Sequence, residues 1–344
     1  MLREVLIDEP QGTARLCSIL DSFKIKFDYV NKQETEYFDI YDIKLSLGSK
    51  ISKIQSIIED ISIQMNSFGM PNHYVVPSKG SYRIEIQKKK INPVSLEDLF
   101  FSTDDNFTTP ICLGTDIKGN NLIKDLNTIP NLMIGGTTGS GKSVLLHNII
   151  LSLLSFGTEV YLADPKYVEF SMYEGAKGVK TIDNSVEDFK LTLCSLAILM
   201  DERYMKLKQY KCRNIKEFNS LSTEYMSPVV IVIDEWADLI MQDKTIQKDL
   251  CMIAQKGRAA GMGIVLATQR PSVNVLPGVI KANFPGRICL KVASAIDSKV
   301  ILDQKGGESL VDAGTGLYMD GKTSTPIKFK TPFVKDISKY LERL

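Results

Sequence analysis

No stretch of this sequence stays apolar for the roughly 18 residues that a membrane-spanning helix needs, and its first residues carry no signal-peptide pattern. The expectation is a cytoplasmic chain without membrane segments. Cysteine is sparse, with Cys17, Cys112, Cys194, Cys212, Cys251 and Cys289 scattered and no CxxC pair. Such spacing argues against a disulfide framework and reads as reduced, buried thiols. Histidine is rarer still, only His73 and His147, which argues against zinc; His147 reads as a packed helix residue. The formal net charge is +1, so no global field selects or rejects a nucleic acid, and any phosphate contact must come from local patches. Internal repeats and long low-complexity segments are absent too.

What is present is enough for two domains: 344 residues, 44% of them hydrophobic. A join is expected near residue 95. Residues 1–95 read as a small α+β module, with a helix-like stretch at 14–23 and an alternating strand at 37–47. Ile51, Ile54, Ile57, Ile58 and Ile61 recur at helical spacing over 51–65, and short strands follow at 73–76 and 82–86. Lys88, Lys89 and Lys90 then run into the breaker Asn92-Pro93 and read as a solvated linker.

Residues 96–344 alternate strands and helices. Apolar strands are expected at 132–134, 160–163, 229–233 and 264–267, separated by helices at 143–155, 186–209 and 246–259. Continuous apolar strands are buried on both faces. That predicts an α/β fold, a mostly parallel sheet with helices on either side.

The segment Gly136-Thr137-Thr138-Gly139-Ser140-Gly141-Lys142-Ser143 fits GxxxxGK[ST] and sits between an apolar strand and an apolar helix, the context the pattern requires. Glycines let the backbone wrap phosphates, and the helix start adds favourable dipole charge. Lys142 is expected on the β- and γ-phosphates of ATP and the Ser143 hydroxyl on Mg²⁺. The apolar run Val229-Val230-Ile231-Val232-Ile233 ends in Asp234-Glu235. That places Asp234 beside the phosphate loop, holding the magnesium shell, and Glu235 where a general base can activate water. The alternative is an acidic pair capping the helix from Trp236. Gln269, at the end of the strand 264–268, stands at the same edge as a γ-phosphate sensor. Arg258 lies on an amphipathic helix; spacing alone leaves it either solvated or reaching a neighbouring subunit's nucleotide.

Longer segments carry a resemblance. GGTTGSGKSV, ADPKYVEFSMYEG, VIDEWADLI, AQKGRAAGMGIVLATQRPSVNVLPGVIKANFPGRI and AIDSKVILDQKGGESL look like the motor of the FtsK/SpoIIIE DNA translocases, in family order. The N-terminal module, through CLGTDIKGN at 112–120, is similar to the smaller α domain that precedes the family's RecA-like β domain. The resemblance implies a homo-hexameric ring with double-stranded DNA in its pore. It makes Arg258 a finger on the adjacent protomer's ATP, Gln269 the γ-phosphate sensor, and Lys281 a pore-facing phosphate contact. Arg270 and Lys166 are weaker candidates for that contact.

Departures accompany the match. Ala295 stands where relatives show a second pore lysine, Gly257 replaces the alanine before the finger, and the usual GDMLY is Gly314-Thr315-Gly316-Leu317-Tyr318. No room remains after Leu344 for the winged-helix γ domain, and the family's N-terminal membrane segments are not seen. Met1 opening the module suggests a stripped motor from a phage, plasmid or other mobile element; part of a longer chain would look the same. Two other ATPase classes stay open. A conjugative coupling or secretion ATPase normally adds membrane segments. A protein-remodelling ATPase adds a helical lid, for which 311–344 shows no equivalent.

Overall fold

The computed structural model describes residues 11–35, 38–68, 70–88, 95–104, 106–182, 185–323 and 325–343. Two compact units divide the chain: Met1–Asn92 with Ile117–Asn120, and Pro93–Asp116 with Asn121–Leu344.

The first unit runs α1 (Gln11–Ser22), β1 (Phe27–Glu34), β2 (Phe38–Leu45), α2 (Ile51–Gln55), α3 (Ile58–Gln64), β3 (Asn72–Val76) and β4 (Ser81–Gln87). Its strands form an antiparallel sheet ordered β1-β2-β4-β3. Leu16, Ile19 and Leu20 of α1 and Ile54, Ile58 and Ile61 of the next helices pack on Tyr41, Ile43, Tyr82, Ile84 and Ile86. Strand alternation sends the other residues of β4 to the opposite face. There Arg83 grips Asp42 through two hydrogen bonds of 2.6 and 2.8 Å.

Two expectations change here. The helix expected over 51–65 is two helices, because Ile57 leaves the helical region at φ −114°, ψ 14°. Strand β1 carries no sequence expectation: most of its side chains are exposed, so it has no apolar signal. Lys88 sits 3.6 Å from the Asp39 carboxylate, an ion pair in place of free solvation. Met1, Tyr37, Lys89, Lys90, Asn92 and Pro93 lie outside the described residues.

The second unit opens with α4 (Leu96–Phe101), β5 (Pro110–Asp116), β6 (Asn121–Asp125), β7 (Asn131–Gly135) and α5 (Lys142–Ser155). It continues through β8 (Glu159–Ala163), β9 (Val179–Ile182), α6 (Val186–Gln209), α7 (Ile215–Leu221), β10 (Val229–Ile233), α8 (Trp236–Gln242) and α9 (Ile246–Lys256). Strand β11 (Met262–Thr268), α10 (Gly278–Asn283), β12 (Gly286–Cys289), α11 (Ala295–Leu302), β13 (Thr315–Met319), β14 (Ile327–Lys330) and α12 (Ile337–Leu341) complete it.

All ten strands join one sheet in the order β6-β5-β14-β13-β12-β7-β11-β10-β8-β9. From β12 to β9 the neighbours are parallel; from β12 to β6 they are antiparallel. The sheet is therefore mixed, with the expected parallel strands at its core. Residues 112–116, read with the N-terminal module, lie in β5 of this larger sheet. Helices cover both faces: Phe189, Leu193, Trp236 and Leu250 on one, Leu145, Leu146, Ile149 and Leu153 on the other. Burial on both sides explains why the parallel strands read as unbroken apolar runs. Among the described residues, no helix is long and apolar enough to cross a membrane. All six cysteines are free; Cys112, Cys251 and Cys289 are buried, but Cys194 is exposed on α6.

Candidate active site

The phosphate loop is the link between β7 and α5. Strand β7 is wholly buried and pairs with β11 and β12, while α5 is apolar around most of its circumference, as a central helix must be. Gly139 and Gly141 adopt φ of 76° and 94°, a region L side chains rarely enter. A Cβ at Gly141 would also lie 2.4 Å from the Gly314 nitrogen. Gly314 N–H donates to the Ser140 carbonyl at 2.8 Å, and Thr137 N–H to the Lys291 carbonyl at 2.9 Å. Gly136 N–H donates to the Thr268 carbonyl at 3.3 Å. The loop is thus braced from several sides. Thr138 and Gly139 remain exposed.

Lys142 is buried, and its ammonium donates to the Asp234 carbonyl at 2.8 Å and to the Asp234 carboxylate. Burial pushes the Asp234 carboxyl above its ordinary range; Lys142 opposes this, and Glu169 and Asp164 add to it. Ser143 follows on the first turn of α5. Backbone N–H groups, a lysine and a carboxylate thus share one end of the sheet, a donor set that fits a nucleotide's phosphates and a hard divalent cation.

Glu235 occupies the N-cap position of α8, but its side chain makes no capping hydrogen bond. The capping alternative therefore does not describe it. Its carboxylate instead accepts from the Thr268 hydroxyl at 2.6 Å and the Gln269 N–H at 2.9 Å. The Gln269 side chain meets the phosphate loop, its Oε1 accepting from the Thr138 hydroxyl at 2.7 Å. Glu235, Gln269 and Thr138 form one hydrogen-bonded chain at the carboxyl edge of the sheet. Trp236, fully buried, donates to the Val275 carbonyl at 2.9 Å and fixes the loop after β11.

Two other expected residues, Arg258 and Lys281, lie apart. Arg258 precedes β11, whose first residue Met262 pairs with Val229, the first of β10. It therefore belongs to the amino edge, and the six steps along β11 at about 3.3 Å each put that edge roughly 20 Å from the end that leads into Gln269. There its guanidinium donates to the Asn127 carbonyl at 3.0 Å. Lys281, on α10, also lies toward that edge; the Asn283 carbonyl two residues on accepts from Asn131, which opens β7, at 2.8 Å. Lys281 is paired with Asp303. Among the described residues, the exposed Arg270 guanidinium reaches only the Met241 sulfur, at 3.9 Å. Lys166 pairs with Asp238 at 3.1 Å, a hydrogen bond that raises its pKa. Ala295 opens α11 behind a capping box of Ser294 and Asp297. His147, packed on α5 as expected, meets the Tyr173 hydroxyl at 3.0 Å.

The sequence reading does not mark Thr268 as a site residue, although its place one residue before Gln269 at a strand end is a usable signal. Gly314 stands in the sequence only as a departure from the family pattern, and nothing there signals its contact with Ser140.

Residues 101–273 match the sequence profile of the FtsK/SpoIIIE family. The chain belongs to that family, and its phosphate loop is that of an ATPase. It is 32% identical over 333 residues to the DNA translocase FtsK of Treponema pallidum, covering 91% of this chain and 41% of that one. With the DNA translocase FtsK of Clostridium acetobutylicum it shares 35% over 338 residues, covering 94% and 44%. The chain thus spans about two-fifths of the length of these relatives. Its fold is similar to the pCW3 conjugation coupling protein TcpA, solved in a monomer form with ATPγS (TM-score 0.69, 22% identity, 97% of this chain and 99% of that one). It is also similar to the cytoplasmic domain of the type VII secretion ATPase EccC of Thermomonospora curvata (TM-score 0.65, 21% identity, 74% and 34%). These likenesses establish the RecA-like P-loop ATPase fold.

Proposed function

We propose that this chain hydrolyses ATP to move along double-stranded DNA, as one of six copies in a cytoplasmic ring whose pore holds the duplex. Residues 96–344 are the motor, and residues 1–95 the α-like module before it. The observation that carries this reading is the division of the site between two edges of one sheet. The phosphate loop, Asp234, Glu235 and Gln269 share the carboxyl edge, while Arg258 lies roughly 20 Å away, six strand steps at about 3.3 Å. An arginine so placed serves a nucleotide only when a second copy presents it. Family membership and the name of the relatives, DNA translocase, support the rest.

The loop N–H groups hold the phosphates, and Lys142 turns from Asp234 toward them. Ser143 and Asp234 would hold Mg²⁺, which supplies charge neutralisation at the β- and γ-phosphates. Glu235, oriented by Thr268 and the Gln269 N–H, takes the proton of the attacking water. Gln269, bonded to both Glu235 and Thr138, registers the γ-phosphate. Arg258 of a neighbour stabilises transition-state charge. Lys281 and Arg270 contact DNA phosphates without reading bases.

Steady-state ATPase with and without linear duplex of mixed sequence tests this. Stimulation by duplex, indifferent to sequence and lost in Lys281→Ala, is expected. Stimulation by a protein partner and by no nucleic acid would transfer the assignment to a remodelling ATPase. The coupling class shares this fold, and a clear preference for single-stranded or nucleoprotein substrates in the same assay would select it.

A further inference from the structure

Lys281 is not alone toward the amino edge of the sheet. Its ammonium and the Arg287 guanidinium close on opposite oxygens of the Asp303 carboxylate. The cations are packed in, their side chains 21% and 17% exposed, whereas Asp303 is 59% exposed. Arg287 is also held from behind by the carbonyls of Phe284, Lys281 and Ile301 at 3.4 to 3.5 Å. The positive groups are fixed, and the anion faces solvent.

Asp303 is an unfavourable residue for its place. It is the C-cap of α11 with φ 61°, a conformation that suits glycine or asparagine. A carboxylate there also opposes the helix dipole. Burial raises its pKa, but hydrogen bonds from Lys281 and Arg287 prevail and hold the carboxyl below its ordinary range. The two cations offset the unfavourable position. One carboxylate between two cations leaves an excess positive charge. A phosphodiester carries the same single charge and offers the same paired oxygens to a guanidinium fork.

We propose that Lys281 and Arg287 together form a site for a backbone phosphate of nucleic acid, and that Asp303 is the internal anion a phosphate displaces. The inference rests on the DNA-translocating reading and adds Arg287, which the family resemblance does not mark, and a competing acid. Because Asp303 is covalently attached, it is always present to compete, so the native chain grips DNA more weakly than its cations allow. That suits a motor that must release and re-engage the duplex.

The test is binding of a fluorescein-labelled linear duplex of mixed sequence to the full chain, followed by anisotropy across a salt series. Asparagine tolerates positive φ, so Asp303→Asn keeps the backbone while removing the anion. It is expected to bind several-fold tighter than wild type. Arg287→Gln is expected to bind more weakly and to lose about 0.9 of the log–log salt slope, one phosphate contact. Should Arg287→Gln melt early, Arg287→Lys, which keeps charge but not the fork, is expected to fall between it and wild type. Binding by Asp303→Asn no tighter than wild type, with Lys281→Ala weakened, would overturn the displaced acid and leave the DNA reading standing. No binding by either wild type or Asp303→Asn would remove both. Binding by Asp303→Asn alone would support the inference most directly.

Discussion

The Thr268 hydroxyl donates to the Glu235 carboxylate at 2.6 Å, joining the ends of two adjacent parallel strands. Both residues are buried, so no bulk water competes for the bond. With the Gln269 N–H as second donor, the carboxylate is fixed in orientation at the sheet's edge. Glu235→Gln is expected to bind ATP normally and turn over roughly 10²–10⁴ more slowly, the usual effect of losing a catalytic base. Thr268→Val removes one orienting bond at a cost of about 1–3 kcal/mol, so kcat should fall roughly 5- to 150-fold. Single-turnover kinetics with calorimetric ATPγS binding separates the two steps. Wild-type turnover in Glu235→Gln would exclude it as the base.

Lys142 and Asp234 form a buried ion pair, with side chains 4% and 5% exposed. Removing one partner of such a pair leaves an uncompensated buried charge, at a cost of about 3–5 kcal/mol. Lys142→Ala is therefore expected both to lose nucleotide binding and to melt earlier. The double variant Lys142→Ala/Asp234→Asn should recover much of the stability and none of the binding. Calorimetric melting with ATPγS titration distinguishes the effects. A single variant as stable as wild type would show that the pair contributes nothing to folding.

The centre of this fold was legible because its strands are buried on both faces. Strand β10, 229–233, and helix α6, 186–209, have the bounds expected from apolar runs and periodicity alone. The phosphate loop was legible because its chemistry needs particular residues at particular spacing. What escaped were elements whose partners lie far along the chain. Strands β12 and β14 have four residues each and take their place from pairing with β7, β13 and β5. Strand β1 has no fully buried position, and the break at Ile57 has neither proline nor glycine to mark it. At the site, residue identities were readable, but contacts such as Lys142 with Asp234 or Lys281 with Asp303 were not. Spacing places a side chain at an edge without saying what it touches there.

His147 gives the chain an acid-sensitive element. Burial lowers its pKa from 6.5 to about 4. The groups facing it are the Tyr173 hydroxyl at 3.0 Å and the Glu169 carboxylate at 3.9 Å; Glu169 would favour the proton, but burial prevails. The unfolded imidazole takes a proton below about pH 6.5 and the native one only near pH 4, so the unfolded chain binds more protons in that window. Stability from this group is therefore full above pH 6.5 and falls as pH drops toward 4, by up to about 3 kcal/mol. His147→Gln should flatten that part of the profile. Urea midpoints at several pH values, compared between variant and wild type, check it; parallel profiles would exclude His147 as the cause.

Arg258 makes the strongest demand on assembly. Its guanidinium donates to the Asn127 carbonyl of its own chain, toward the sheet edge opposite the phosphate loop, and under the proposed reading it acts on another copy's site. ATPase activity per chain is then expected to rise with protein concentration as rings form. Arg258→Ala should bind nucleotide normally and lose roughly 10³–10⁵ in turnover, the range for removing an arginine finger. Glu235→Gln should be inactive for a different reason, lacking the base while keeping the finger. Mixing the two inactive variants creates interfaces in which an intact Arg258 faces an intact Glu235, so part of the activity should return. The regained rate should depend on the mixing ratio and vanish on dilution below the assembly concentration. A finger acting within one chain predicts the opposite: no rescue at any ratio, and activity per chain independent of concentration. A fully active, strictly monomeric wild type in analytical ultracentrifugation would remove Arg258 from the reaction.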